Sequence, residues 1–178
     1  GISGATFGHG LGQQVGLSIV KNVGSSTYWY VYSNLLPTNN NLYLNTSDSK
    51  QADGVMLGGN STTVSISASS AVNTNNGSYI AYNFTSIAGY SKIGSYTGTG
   101  ATGNVQYVGF EPAFVMVKAT STSEPWFILD NKRDPNNPRD NRLMPDSTAA
   151  ESNGSVHTMN FNSNNFTLNG TVGNGTNG

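Results

Sequence analysis

Apolar positions in this chain come in short runs. Gly16–Val20, Tyr28–Tyr32, Val64–Ala68, Tyr79–Phe84, Phe114–Val117 and Trp126–Leu129 alternate or run continuously. They are rich in Val, Ile, Tyr, Phe, Trp and Thr, and Gly, Asn, Pro and Ser bound them. That pattern predicts strands and turns. No window holds twelve residues of helical periodicity, and a short turn near Ser147–Glu151 is the one helix candidate. The expected fold is all-β, an antiparallel, jelly-roll-like β-sandwich.

The runs also repeat. "LSIVKNVGSSTYWYVYSN" (17–34) aligns without a gap on "FVMVKATSTSEPWFILDN" (114–131), placing Lys21 on Lys118, Trp29 on Trp126 and Asn34 on Asn131. "NLYLNTSDSKQADG" (41–54) follows "NRLMPDSTAAESNG" (141–154), and "VSISASSAVNTNNG" (64–77) follows "FTLNGTVGNGTNG" (166–178). The order is kept, and length changes fall in loops. The chain reads as two tandem homologous β units, 1–97 and 98–178, which could pack as one sandwich domain. In the first unit "NTNNG" leads into the strand SYIAYNF (78–84). The second has no such strand, so an unpaired edge is expected there, to be filled by a neighbouring chain or a continuing one. The chain opens on Gly rather than Met, which we read as a processed product or a fragment.

Composition narrows the functions. Charged residues are 10 % of the chain and the net charge is −1, against roughly 25 % charged in ordinary soluble domains. Such a surface lacks the basic footprint of a nucleic-acid binder and the charge for an anionic membrane. No run is long enough to span a bilayer as a helix. The chain has no Cys, so disulfides and thiolate zinc sites are excluded. A polar, nearly neutral surface suits life inside an assembly.

Candidate chemistry is sparse. GTGATG (98–103) fits G-x-G-x-x-G, but a strand-like NVQYVGF follows where a dinucleotide site needs a helix; we read turn glycines. His9, in GHGLG (8–12), is expected to cap a turn or pack beside the first strand, and His157 to sit in the alternating strand SVHTMNF. The charges gather in one place: Asp130, Lys132, Arg133, Asp134, Arg139, Asp140 and Arg142 stand among Pro135, Pro138 and several Asn. Asp130, Asp134 and Asp140 are the candidate ligand-binding residues. Calcium takes such oxygens, but the EF-hand spacing is absent and four cations would compensate the acids. The loop is therefore read as a self-paired structural or interface loop, with calcium and ligand binding as alternatives. The equivalent segment of the first unit (33–44) has no acid. The aromatics Tyr28, Trp29, Tyr30, Tyr32, Trp126 and Phe127 could stack sugars; recurrence of both Trp favours core packing.

"HGLG…IVKN" (9–22), "YIAYNF" (79–84), "GYSKIGSYTGTG" (89–100), "FEPAFVMVK" (110–118) and "WFILDNKRDPNNPRDNRL" (126–143) together resemble a repeat module of marine bacteriophage and cyanophage virion proteins. The resemblance covers nearly the whole chain and departs at Val15-Gly16, where a proline is expected, and at the absent last strand. It implies β architecture, a virion location and no catalytic residue. The expected function is a non-enzymatic structural module of a tail fibre, spike or head decoration, with other virion subunits and copies of itself as partners, no cofactor, no nucleic acid and no membrane insertion. A module that binds host surface glycan is the first alternative. A glycan-cleaving enzyme is the second, and it would need two carboxylates facing across a cleft.

Overall fold

A computed structural model describes residues 1–170 and 175–178. The chain forms two compact units, Gly1–Ser86 and Ile87–Gly178. The division lies ahead of the expected boundary at 97/98. The reason is Tyr96, whose ring packs edge-on to Phe166 at 6.3 Å and whose hydroxyl donates to Thr176 O. Residues 87–97 thus belong with the second unit.

The first unit contains β1 (Ala5–Gly8), β2 (Leu17–Asn22), β3 (Tyr30–Ser33), β4 (Leu42–Tyr43), β5 (Met56–Gly59), β6 (Thr63–Ile66), the short helix α1 (Ser70–Asn73) and β7 (Tyr79–Phe84). All pairings are antiparallel. One sheet has the order β1-β6-β5 and the other β4-β3-β2-β7. Alternation decides which side chains turn inward: Val64 and Ile66 of β6 meet Val20 and Tyr30 in one apolar core, with Met56 and Val72. Two sheets over one shared core give a sandwich-like arrangement.

The second unit contains β8 (Asn104–Tyr107), β9 (Phe114–Val117), β10 (Phe127–Asp130), a 3-10 turn (Ser155–His157), β11 (Met159–Asn162) and β12 (Asn165–Leu168). Its sheets are β11-β12-β8 and β10-β9. Val115, Val117, Phe127 and Leu129 from one meet Met159, Phe161, Phe166 and Leu168 from the other.

Register relates the strands of the two units. Leu17 pairs with Ser33 and Val20 with Tyr30; Phe114 pairs with Asp130 and Val117 with Phe127, each 97 positions on. Ala5 pairs with Ile66 and Gly8 with Thr63; Asn104 pairs with Leu168 and Tyr107 with Asn165. Gly4, with φ 78°, donates from its N–H to Ile66 O at 3.0 Å, and Gly103, with φ 87°, to Leu168 O at 3.0 Å. The last glycine of GTGATG is thus a left-handed turn residue leading into β8.

Three expectations need correction. Ser147–Glu151 is not helical: one turn closes there, Ser147 N–H to Met144 O at 3.0 Å, and goes no further. The helix is instead α1, capped by Ser69 Oγ, which accepts from Ala71 N–H, and held by buried Ala71 and Val72. His157 lies in the 3-10 turn, and the strand begins at Met159. The 41–54 and 141–154 segments correspond one residue away from the ungapped alignment. Asn41 bridges Gln51, Arg142 bridges Ser152, and Leu42 and Leu143 lie opposite Val31 and Ile128. The 166–178 tail of the repeat partly falls, at 171–174, outside the described residues.

Candidate functional site

The charged loop begins at the end of β10. Asp130 Oδ1 accepts from the N–H groups of Lys132 and Arg133, both at 2.9 Å, and Oδ2 accepts from Arg133 Nε at 2.7 Å. Burial alone would raise its pKa, but these bonds and the Arg133 charge hold it below the ordinary carboxylate value. Arg133 goes on to Glu151, to Ile128 O at 3.2 Å and to Asn141 O at 3.4 Å. One guanidinium thus joins the end of β10 to the far side of the loop.

Asp134 serves the backbone. Its Oδ2 accepts from Asp140 N–H at 2.7 Å and Asn141 N–H at 3.3 Å. Asp134 therefore closes the segment containing Pro135 and the cis Asn137–Pro138 bond. Asn137 pins that segment to β11, donating to Phe161 O at 2.8 Å and accepting from Phe161 N–H at 2.9 Å. Arg139 is buried, bonded to Asn137 and placed 4.4 Å over the Phe161 ring. A cation over an aromatic face is favourable, more so when desolvated. Asp140 lends its N–H to Asp134 and is partly buried.

The three candidate acids therefore do different things. Asp130 and Asp134 hold the loop's own groups, and Asp140 enters through its backbone. Among the described residues no three of His, Asp and Glu converge in a group that could hold a metal ion.

Next to the loop stands a second cluster. The His157 ring stacks on Phe127 at 4.2 Å, and Arg142 lies 5.9 Å over the other partner of that stack, the Phe127 ring. Burial, then the Arg142 charge, lowers the His157 pKa to about 4, so the ring is neutral at pH 7. His9 plays the turn-capping part: its Nδ1 accepts from Leu11 N–H at 3.2 Å, and Nε2 lies 3.1 Å from Asn60 O.

The two Trp residues differ. Trp126 is 3 % exposed, whereas Trp29 is only half-buried and lines a shallow depression with Lys21, Asn22 and Ile80. Packing of both in the core is thus corrected for Trp29. Their backbones are anchored alike: Trp29 N–H donates to Asn45 Oδ1 at 2.9 Å, and Trp126 N–H to Asp146 Oδ1 at 3.1 Å. Lys21 Nζ donates to Asn22 O and Ser25 O, both at 2.7 Å; Lys118 Nζ donates to Ala119 O at 3.0 Å and Glu124 O at 2.7 Å. These lysines brace hairpins.

Sequence reasoning missed Asp53 and Glu151. Asp53 accepts from Asn41 and, at 2.7 Å, from the Tyr43 hydroxyl, while Tyr28 stacks on Tyr43 at 4.2 Å. Burial, with Asp53 next, pushes the Tyr43 pKa up. The counterpart segment 33–44 has no acid of its own; Asp53, beyond it, bonds its Asn41 and Tyr43. Asp53 and Glu151 lie beside the Asn41–Gln51 and Arg142–Ser152 bridges, and reading those segments as hairpins would have found both.

No helix among the described residues is long and apolar enough to cross a membrane. Comparison with curated proteins and with solved structures finds no match. A family model described as a domain of unknown function, DUF7483, matches residues 1–178. The chain belongs to the DUF7483 family.

Proposed function

We propose that this chain is a non-enzymatic structural module of a phage particle, displayed as a fibre, spike or head decoration and acting through rigid shape and subunit contacts. The observation that carries this reading is the use of the acids in the charged loop. Asp130 and Asp134 are engaged by Arg133 and by loop N–H groups, so the densest charge in the chain stiffens a surface loop. Asp130 and Glu151 share Arg133 between them. That sharing supports an ion-pairing role for both over acid and base work across a cleft. The virion location is supported by the resemblance of the ordered motifs to phage structural repeats.

The shared registers support a second part of the reading, that the two units descend from one duplicated β unit. Duplicated modules extend a structure by repetition, which suits a fibre or spike.

One observation favours a receptor-binding alternative. Half-buried Trp29, beside Ile80 and Asn22, offers an aromatic face of the kind that stacks on sugar rings. Antibody raised against the chain tests location. Labelling of purified particles is expected, and particles free of the chain would overturn the proposal. A glycan array separates the alternatives: binding lost in Trp29→Ala would move the reading to adhesion.

A further inference from the structure

Strand β7 covers the outer edge of β2 through six paired positions, Leu17 with Phe84 to Asn22 with Tyr79. Val23 N–H donates to Ser78 O at 3.0 Å at one end and Gly16 N–H to Phe84 O at 2.8 Å at the other. Strand β9 holds the place of β2 in the second unit, with the same register to its partner. Yet among the described residues β9 has β10 on one side and no strand on the other.

The bond directions show what is open. Asn131 N–H donates to Ala113 O at 3.0 Å. With the β9–β10 register, this directs the peptide groups of Ala113, Val115 and Val117 to β10. Those of Phe114 and Met116 then point to the other edge, because an antiparallel strand alternates. Strand β7 is itself an edge. The Val23–Ser78 bond sets Ile80, Tyr82 and Phe84 toward β2, which leaves the peptide groups of Tyr79, Ala81 and Asn83 pointing away.

We infer that the outer edge of β9 accepts the outer edge of β7 from a second copy of this chain, joining β4-β3-β2-β7 of one copy to β9-β10 of the next. Neither strand carries a charge or a proline, the devices that natural edges use against such pairing. Both also expose apolar side chains: Ile80, Tyr82 and Phe84 are each 46 % exposed and Phe114 is 55 % exposed. A net charge of −1 puts little repulsion between copies. The contact uses two different surfaces, so it is head-to-tail and repeats into a ring or an open filament. It deepens, and rests on, the subunit-contact reading above.

Two proline variants test it. Ala81→Pro removes an outward N–H of β7, and Met116→Pro an outward N–H of β9. Proline is tolerated where an edge N–H faces away from the ladder, so each variant keeps its inner pairing. In sedimentation velocity the wild-type chain is expected to associate as its concentration rises. Each variant alone stays monomeric, because one of its two edges is blocked. Mixed one to one, they form a heterodimer that grows no further, since Met116→Pro offers an intact β7 and Ala81→Pro an intact β9. Should either proline variant lose the wild-type circular dichroism, Tyr82→Lys and Phe114→Lys place charges on the same two edges and replace them. A wild-type chain that is monomeric throughout, variants that associate like wild type, or a mixture that stays monomeric overturns the inference. A monomeric chain would leave the display reading standing. Hydrolysis of a glycan polymer would remove that reading without touching the edge contact.

Discussion

Asn73 and Asn177 make comparable pairs of hydrogen bonds in their respective units. Asn73 Nδ2 donates to Ile2 O and Ser67 O, both at 2.9 Å; Asn177 Nδ2 donates to Ala101 O at 2.7 Å and Gly170 O at 2.9 Å. Each amide ties the approach to the unit's first strand to the stretch that follows the centre of its three-stranded sheet. An end-to-end alignment of the tails instead puts Asn177 on Asn76, the residue with φ 58° in the turn before β7.

The pair predicts unequal costs. Asn177 is buried and Asn73 half-buried, and a buried carbonyl left without a donor costs about 1–3 kcal/mol. Asn177→Ala should therefore destabilise its unit by about 2 kcal/mol, and Asn73→Ala by less. Urea unfolding checks both. Equal, negligible effects would deny the amides this role.

Acid should weaken the second unit before the carboxylates titrate. The His157 pKa falls from 6.5 unfolded to about 4 folded. Between those values the unfolded chain binds the extra proton, so stability is full above pH 6.5 and falls as pH drops toward 4. Allowing for solvent screening of a half-buried ring, the loss is about 1–2 kcal/mol. His157→Phe keeps a ring on Phe127 and should flatten the melting temperature across this window. The Asp130 contribution has a different window. Its folded pKa is depressed, so its stability is present above the ordinary carboxylate pKa and is lost only as pH falls below it.

Much of the fold was legible because strand alternation leaves a strong mark. Tyr79–Phe84 and Phe114–Val117 match β7 and β9 to the residue. What was hidden depended on contacts distant in sequence. Tyr96 is drawn to the second unit by Phe166 and Thr176, which no local pattern announces. Trp29 and Trp126 have like sequence contexts and differ in burial, because burial is set by what packs on a side chain. In the charged loop the residue types were plain, but the pairing of Arg133 with Glu151 joins residues eighteen apart and left no mark in the local pattern.

That loop gives a further prediction. Arg133→Met removes the bonds to Asp130, Glu151 and Ile128 O. Exposed ion pairs are worth only about 0–1 kcal/mol each, so a loss of about 1–2 kcal/mol is expected, with faster proteolysis between Lys132 and Arg142. Calcium should leave the wild-type melting temperature unchanged. A calcium-dependent rise that disappears in Asp134→Ala would make this a metal loop.

The tryptophans should separate cleanly in denaturation. Trp126→Ala deletes a large buried side chain and should cost about 3–5 kcal/mol. Trp29→Ala should cost clearly less, and iodide should quench Trp29 fluorescence more strongly than that of Trp126. Reversal of either order would contradict the burial described for the two sites.

The central claim, a structural module displayed in many copies, is tested most directly by counting. Image reconstruction of the native particle, with an antibody fragment against this chain as a marker, gives its copy number and place. The account predicts many symmetry-related copies on the particle exterior, in contact with one another. A handful of copies confined to a tail tip, or none on the particle, would contradict it.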